Sequence, residues 1–380
     1  MADRAPSTPP EIAGYSYLRP LGVGGFADVF LYEQDMPRRL VAVKVLLDDV
    51  VTDQFLHMFM AEANAMAQLS THPSILTIYQ ASISSDGRPF LVLEYCPKSI
   101  GETFRQEVMS VPEVLYLGVR IASALATAHH KGILHRDIKP SNILITEYAL
   151  PVLADFGIAG STMDGVAGAS ALSLPWSAPE VVNEQTNGNV QSEVWSLSAT
   201  LYALLAGRSP FERSGHGQNN PEKLRERISA ANYQPIPRAD VPQELQNVLA
   251  KAMSGRPANR YSSMEAFASD LQRIQQRLNQ PLTQLETTQF DGGVSNDASA
   301  WRPPSAGQVP GPTRTSIELD SKRPQRAPAK RPSVSLSLPR EGEESEKPPA
   351  TGKGKLIAAL LGVAAFTAVI VVGVMMLLGG

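Results

Sequence analysis

The chain has 380 residues, 43% of them apolar and 19% charged, enough for one large core or two modest ones with residues left over. A formal net charge of −3 leaves no basic excess to displace counterions from phosphates, so no nucleic-acid partner is expected. The single cysteine, Cys96, excludes an internal disulfide and belongs to no metal-ligand pattern.

The opening M-A-D-R-A-P-S-T-P-P lacks the apolar run of a signal peptide, and residues 1–14 read as a disordered lead-in. Residues 15–278 have the mixed apolar periodicity of one folded domain. Early in it, Leu21-Gly22-Val23-Gly24-Gly25-Phe26-Ala27-Asp28-Val29 lies between two strand-like stretches. Glycine lets backbone amides approach a phosphate with no side chain in the way, yet a glycine cluster alone makes ordinary hairpin turns equally well. A dinucleotide site would require passage from strand to helix and an acidic residue about 20 positions on. A second strand follows instead, Val41-Ala42-Val43-Lys44-Val45. Taken singly, Lys44 reads as a surface lysine, but Glu62 in the helix-like stretch from Phe55 to Leu69 gives it a partner. Another apolar stretch, Leu91-Val92-Leu93-Glu94-Tyr95, ends at Cys96, and helical periodicity returns from Val114 to His130 and from Val194 to Ala206.

Between those helices, His135 to Leu144 read H-R-D-I-K-P-S-N-I-L, and Asp155-Phe156-Gly157 follows, giving an acid–base residue and two metal-binding side chains at phosphoryl-transfer spacing. This pairing resembles the catalytic loop and metal-binding segment of eukaryotic-type protein kinases. The resemblance implies an α+β, bilobal fold with a small β-rich lobe and a helical lobe. It implies that Gly22, Val23, Gly24, Gly25, Val29 and Ala42 surround ATP, with Glu94 and Cys96 at the hinge that meets the adenine. Lys44 would hold the α- and β-phosphates and form an ion pair with Glu62. Asp137 would accept or orient the substrate hydroxyl proton, and Lys139 would neutralise the transferring phosphoryl group. Asn142 and Asp155 would supply oxygen ligands to magnesium, or to manganese in its place. Lysine at position 139 is the family's serine/threonine-type version, so Ser and Thr hydroxyls are the expected acceptors.

The activation segment runs from Asp155 to Ala178-Pro179-Glu180, and by the same resemblance Arg136 would pair with a phosphate on it. Ser161, Thr162 and Ser170 are the candidate acceptors for autophosphorylation, and Ser173 stands where the family positions a hydroxyl on the catalytic aspartate and lysine, with a phosphosite role second. Glu180 is expected to pair with Arg260 in R-P-A-N-R-Y. Three positions depart from the pattern: Ala27 replaces the third glycine, Glu193 an aspartate and Ser198 a glycine at the start of a buried helix. The glutamate is a methylene longer than the residue that receives catalytic-loop amides, and a shift of about 1 Å in catalytic geometry can cost on the order of 100-fold in rate. Hence the alternative reading, a catalytically weak pseudokinase scaffold that binds nucleotide and recruits partners at the membrane. His72, His129 and His130 read as packing or turn residues, and Cys96 as a small structural residue rather than a redox sensor.

Residues 279–355 are rich in Pro, Ser, Thr, Gln and charge and read as a disordered linker. Residues 356–378 are uncharged, apolar or small, long enough as a helix to cross roughly 30 Å of hydrocarbon. Lys353 and Lys355 precede this span, so the positive-inside rule leaves the kinase-like domain cytoplasmic in a single-pass cell-membrane protein. Only Gly379 and Gly380 follow it, and external sensing by this chain is not expected. The linker stretch Gln284-Leu285-Glu286-Thr287-Thr288-Gln289-Phe290-Asp291 resembles phosphothreonine sites bound by forkhead-associated domains, with Thr287 or Thr288 as acceptor; Ser333 is a weaker candidate. Homodimers that phosphorylate in trans are a further expectation. The wording G-G-F-A-D-V-F and S-L-P-W-S-A-P-E is similar to that of bacterial, actinobacterial-type membrane-anchored kinases.

Overall fold

Alternation of side chains sets the two faces of the first lobe. Along β3 (Arg39–Leu46), Val41, Val43 and Val45 point one way and Ala42, Lys44 and Leu46 the other, as the period of two in a strand requires. The valines join Phe30 and Tyr32 of β2 (Ala27–Gln34) and Phe90 and Val92 of β5 (Pro89–Glu94) in a small outer core. The opposite face, with Ala27, Ala42, Leu91 and Leu93, belongs to the main core. β1 (Tyr15–Val23) and β4 (Ile78–Ile83) complete a five-stranded antiparallel sheet in the order β1-β2-β3-β5-β4. Helix α1 (Asp53–Leu69) packs on the inner face through Phe59, Ala63 and Met66. The computed structural model describes residues 4–156 and 173–286, which fall in one compact unit.

Residues 4–14 are ordered, contrary to the disordered lead-in expected from their composition. They form a strap over the outer face, where Ile12 packs on the small core and the Tyr32 hydroxyl donates to the Pro10 carbonyl at 2.7 Å. Burial pushes the Tyr32 phenol up to about 12. The buried Arg88 donates to the Thr8 carbonyl at 2.7 Å while Asp86 holds its guanidinium at 2.6 Å. The order comes from long-range contacts that cover an apolar sheet face, a gain that local composition does not reveal.

Two short elements, β6 (Lys98–Ser99) and α2 (Ile100–Thr103), lead into the helical lobe. Helix α3 (Val111–His130) starts on Ser110, whose side chain caps the Glu113 amide while the Glu113 carboxylate returns to the Ser110 amide. Apolar nearly all round, α3 is long enough to cross a membrane, yet it is the buried central helix of this lobe. It meets α5 (Val190–Ala206) and α8 (Met264–Arg277) at Gly118, where a β-carbon would lie 2.9 Å from both Leu201 Cδ1 and Leu271 Cδ1. A larger residue at 118 would therefore have to push these two leucine side chains aside. The remaining described α-helices are α4 (Pro179–Val182), α6 (Pro221–Ser229) and α7 (Gln243–Ala252).

The stretch assigned to the linker is also ordered at its start. Thr283 exchanges hydrogen bonds with Gln275 on α8, and Glu286 pairs with Arg120 of α3 at 2.7 Å while its amide donates to Ser123. These polar anchors and Leu285, which packs on the core, hold residues 279–286 to the folded domain. The expected membrane span, 356–378, and the rest of the linker lie outside the described residues.

Candidate active site

A two-strand hairpin places Asn142 and Asp155, the two side chains expected to bind metal. β7 (Ile143–Ile145) and β8 (Pro151–Leu153) are antiparallel, with Ile143 opposite Leu153, so Asn142 before one strand and Ala154-Asp155 after the other come to the same end. The Ala154 amide donates to the Asn142 carbonyl at 2.8 Å and locks that end. Asp155 then takes a left-handed backbone, φ 57°, which turns its half-exposed carboxylate out of the strand. Asn142 is buried, and its Nδ2 donates to the Asp137 carbonyl at 2.8 Å and to Asp137 Oδ2 at 3.0 Å.

Asp137 is held from three directions. Besides Asn142, Lys139 Nζ lies 2.7 Å from Oδ2, and the Ser173 hydroxyl donates to Oδ1 at 2.5 Å. Lys139 also donates to Ser173 Oγ at 3.0 Å, so Ser173 joins Asp137 to the lysine beside it. The loop behind them rests on buried polar groups: His135 Nε2 donates to the Ala154 carbonyl at 2.9 Å and Nδ1 accepts the Asp137 amide at 3.2 Å. Arg136 is left-handed, φ 65°, and its amide donates to Glu193 Oε1 at 2.7 Å. Glu193 thus reaches the catalytic loop despite its extra methylene. Its second oxygen, Oε2, meets His129 Nε2 at 2.6 Å, which gives His129 a role beyond the packing or turn expected of it.

In the other lobe, Lys44 Nζ lies 2.8 Å from Glu62 Oε1 and 3.0 Å from Asp155 Oδ1. The ion pair expected with Glu62 is present, and the same ammonium joins the sheet, helix α1 and the segment of Asp155. Burial pulls the Lys44 pKa down, but the carboxylates of Asp155 and Glu62 outweigh it and hold the lysine protonated. Lys44 in turn holds the Asp155 carboxyl below the usual carboxylate range.

The glycine-rich segment is the β1–β2 turn, with Gly22 paired to Val29 and the Gly24 amide donating to the Ala27 carbonyl at 3.0 Å. A β-carbon on Gly24 would sit 2.6 Å from that carbonyl, so the turn needs glycine there. Gly22, Val23, Gly24 and Gly25 are exposed, and Val29 and Ala42 face the main core with Cys96 and Leu144. Glu94 ends β5, and Cys96 follows, half-buried. Burial first, and then the Glu94 charge, push the Cys96 thiol up to about 12, in keeping with a structural residue. Of the regulatory positions, Ser161, Thr162 and Ser170 lie outside the described residues, as do Thr287 and Thr288, while Ser173 is engaged with Asp137. Glu180 and Arg260 form the expected pair, buried and bidentate at 2.6 and 2.8 Å.

Asn142 and Asp155 supply hard oxygen donors, which suit magnesium, and the carboxylate is held ionised and open to solvent. No group of three His, Cys, Asp or Glu side chains able to hold a metal occurs among the described residues, so Asn142 and Asp155 are the donors that would hold an ion here.

A sheet-borne lysine tied to a helix glutamate, facing a loop aspartate flanked by lysine and asparagine, defines a phosphoryl-transfer site of the bilobal kinase class. The family model for the protein kinase domain matches residues 15–271, and the chain belongs to that family. Among its relatives, the serine/threonine-protein kinase PknK of Mycobacterium tuberculosis is 37% identical over 284 residues, a match covering 72% of this chain and 25% of that protein. PrkC of Bacillus subtilis is 33% identical, over 68% of this chain and 40% of its own length, and PknB of Mycobacterium leprae 31%, over 70% and 44%. The chain thus spans less than half the length of these relatives.

Proposed function

We propose that the chain is an ATP-dependent serine/threonine protein kinase. The observation that carries this reading is the continuous set of contacts from Glu62 through Lys44 to Asp155 on one side and from Asn142 through Asp137 to Lys139 and Ser173 on the other. ATP would enter under the glycine-rich turn, with Lys44 drawing on its α- and β-phosphates. Asn142 and Asp155 would hold magnesium, which would supply positive charge against the phosphates. Asp137 orients the Ser or Thr hydroxyl and receives its proton. The hydroxyl oxygen forms a bond to the γ-phosphorus as the bond from that phosphorus to the β–γ bridging oxygen breaks, and ADP leaves. Lys139 stabilises the phosphoryl group in transit. Lys139 and the relatives' names support the Ser/Thr preference. Against the scaffold reading stands Glu193, which still accepts the Arg136 amide.

The finer reading is a bacterial, actinobacterial-type kinase anchored in the cell membrane by residues 356–378, its catalytic domain cytoplasmic. In it, Ser161, Thr162 or Ser170 is autophosphorylated, by a second copy in trans, and pairs with Arg136. Phosphorylated Thr287 or Thr288 recruits a forkhead-associated domain. Incubating the purified chain with ATP and magnesium, beside Asp137→Asn, and mapping phosphosites by mass spectrometry tests the activity. Phosphate on Ser or Thr in the parent alone is the expected result; equal incorporation in both, or none in either, rejects it.

A further inference from the structure

The strap of residues 4–14 reaches the glycine-rich turn itself. The Arg4 guanidinium donates to both carboxylate oxygens of Asp28, and its Nη2 also donates to the Gly24 carbonyl at 3.2 Å. The Ser7 amide adds a third donor to Asp28, at 2.7 Å. Asp28 is the first residue past the turn to pair across it, opposite Val23, and it is fully buried. Gly24 is the residue whose amide closes the turn on Ala27. One guanidinium therefore grips the turn at its tip and at its root.

Nothing in the catalytic machinery requires this carboxylate. Asp28 lies on the sheet face of Phe30 and Tyr32, opposite the face on which Lys44 meets Glu62 and Asp155. Among the described residues Arg4 is the cation paired with it. The strap behind Arg4 is itself fixed, at Thr8 by Arg88 and at Pro10 by Tyr32, so the guanidinium is presented from a held segment. Resting on the kinase reading, we propose that Arg4 is a positioning residue for ATP. Through Asp28 and the Gly24 carbonyl, it holds the glycine-rich turn in the shape in which its amides meet the phosphates. A turn with four exposed residues, Gly22 to Gly25, has little packing of its own to keep that shape.

The test uses the full chain and compares the parent with Arg4→Ala, Arg4→Lys and Tyr32→Phe. ATP KM, peptide KM, kcat at saturating ATP, magnesium–ADP affinity by calorimetry and melting temperature are read for each. Arg4→Ala is expected to raise ATP KM about 3- to 10-fold and weaken ADP by a similar factor, the scale of one ordinary hydrogen bond, because the turn is loosened rather than a contact to the nucleotide removed. Its kcat and peptide KM should stay within about 2-fold of the parent, because both hydrogen-bonded ends of the Arg4 contact lie on the turn, away from Asp137. Arg4→Lys keeps the charge without the fork and should fall between. Tyr32→Phe loosens the strap at Pro10 while Arg88 still holds Thr8, so it should lower the melting temperature and raise ATP KM by less than Arg4→Ala does. Equal ATP KM in parent and Arg4→Ala, with or without a lower melting temperature, overturns the proposal. A parent that binds no nucleotide overturns the kinase reading, and this proposal with it.

Discussion

Replacing Glu193 by alanine should separate catalysis from nucleotide binding. The buried carboxylate accepts the Arg136 amide at 2.7 Å and meets His129 Nε2 at 2.6 Å. Hydrogen bonds to a charged group contribute about 1.5–3 kcal/mol each, and alanine would leave the Arg136 N–H and the His129 ring without this partner. A stability loss of about 3 kcal/mol follows, roughly 6–12 °C in melting temperature for a domain of this size. The catalytic effect should be larger. Arg136 holds a left-handed backbone directly before Asp137, and Glu193 is the group that accepts its amide. If release lets Asp137 drift by about 1 Å, kcat falls on the order of 100-fold. ATP KM should change by less than about 3-fold, since Lys44 is set by β3 and α1 and Asp155 by β8. Glu193→Gln keeps an oxygen for the Arg136 amide and should fall by only about 10-fold. Steady-state kinetics on a Ser-containing peptide, with melting curves on the same preparations, decides the matter. A folded Glu193→Ala enzyme with kcat within about 2-fold of the parent would refute the reasoning.

Arg260→Ala should cost about 3–5 kcal/mol in urea denaturation, because it strands the buried Glu180 carboxylate and removes the donor to the Ser254 and Gln191 carbonyls; a loss under about 1 kcal/mol would contradict this. Ser173→Ala should lower kcat about 10-fold and Ser173→Thr by less than about 3-fold, since threonine keeps the hydroxyl between Asp137 and Lys139, and equal rates for both variants would argue against that role. Cys96 should alkylate with iodoacetamide on the order of 1,000-fold slower than a free thiol at pH 8. With its pKa raised, little thiolate exists there, and the rate should still climb beyond pH 10, whereas a plateau near pH 9 would show an ordinary thiol.

The parts legible in the sequence are those whose signal is local. Val41 to Val45 alternate as a strand, and Ser110 with Glu113 marks the start of α3. The catalytic loop carries its residues within one short stretch, and the hairpin that joins it to Asp155 is short enough to keep both ends together. The helices at Asp53–Leu69 and Val190–Ala206 begin two and four residues before the apolar period suggests, and the latter opens on an Asn189 cap. The illegible parts depend on distant partners. The strap looks like any Pro- and Ser-rich terminus, and its order rests on Asp28, Arg88 and Tyr32, which only the folded sheet brings beneath it. Residues 279–286 likewise look like linker, and their anchors, Arg120 and Ser123, lie on a helix far earlier in the chain. Glu193 read as a defect because its second partner, His129, is 64 residues away.

The β7–β8 hairpin also decides which changes in chain length the site can absorb. Its turn, closed by the Thr146 amide on the Leu150 carbonyl, projects Tyr148 into solvent, and none of the pairs that align Asn142 with Ala154 passes through it. A residue inserted at Tyr148 would lengthen the loop and leave Asn142 and Asp155 where they are. The same insertion within Ile143–Ile145 would slip the register by one, turn each following side chain to the wrong face and pull Asn142 away from Asp155. Along this short piece of chain, tolerance to insertion therefore changes from free to prohibitive within three residues, and a reporter or affinity tag belongs at position 148.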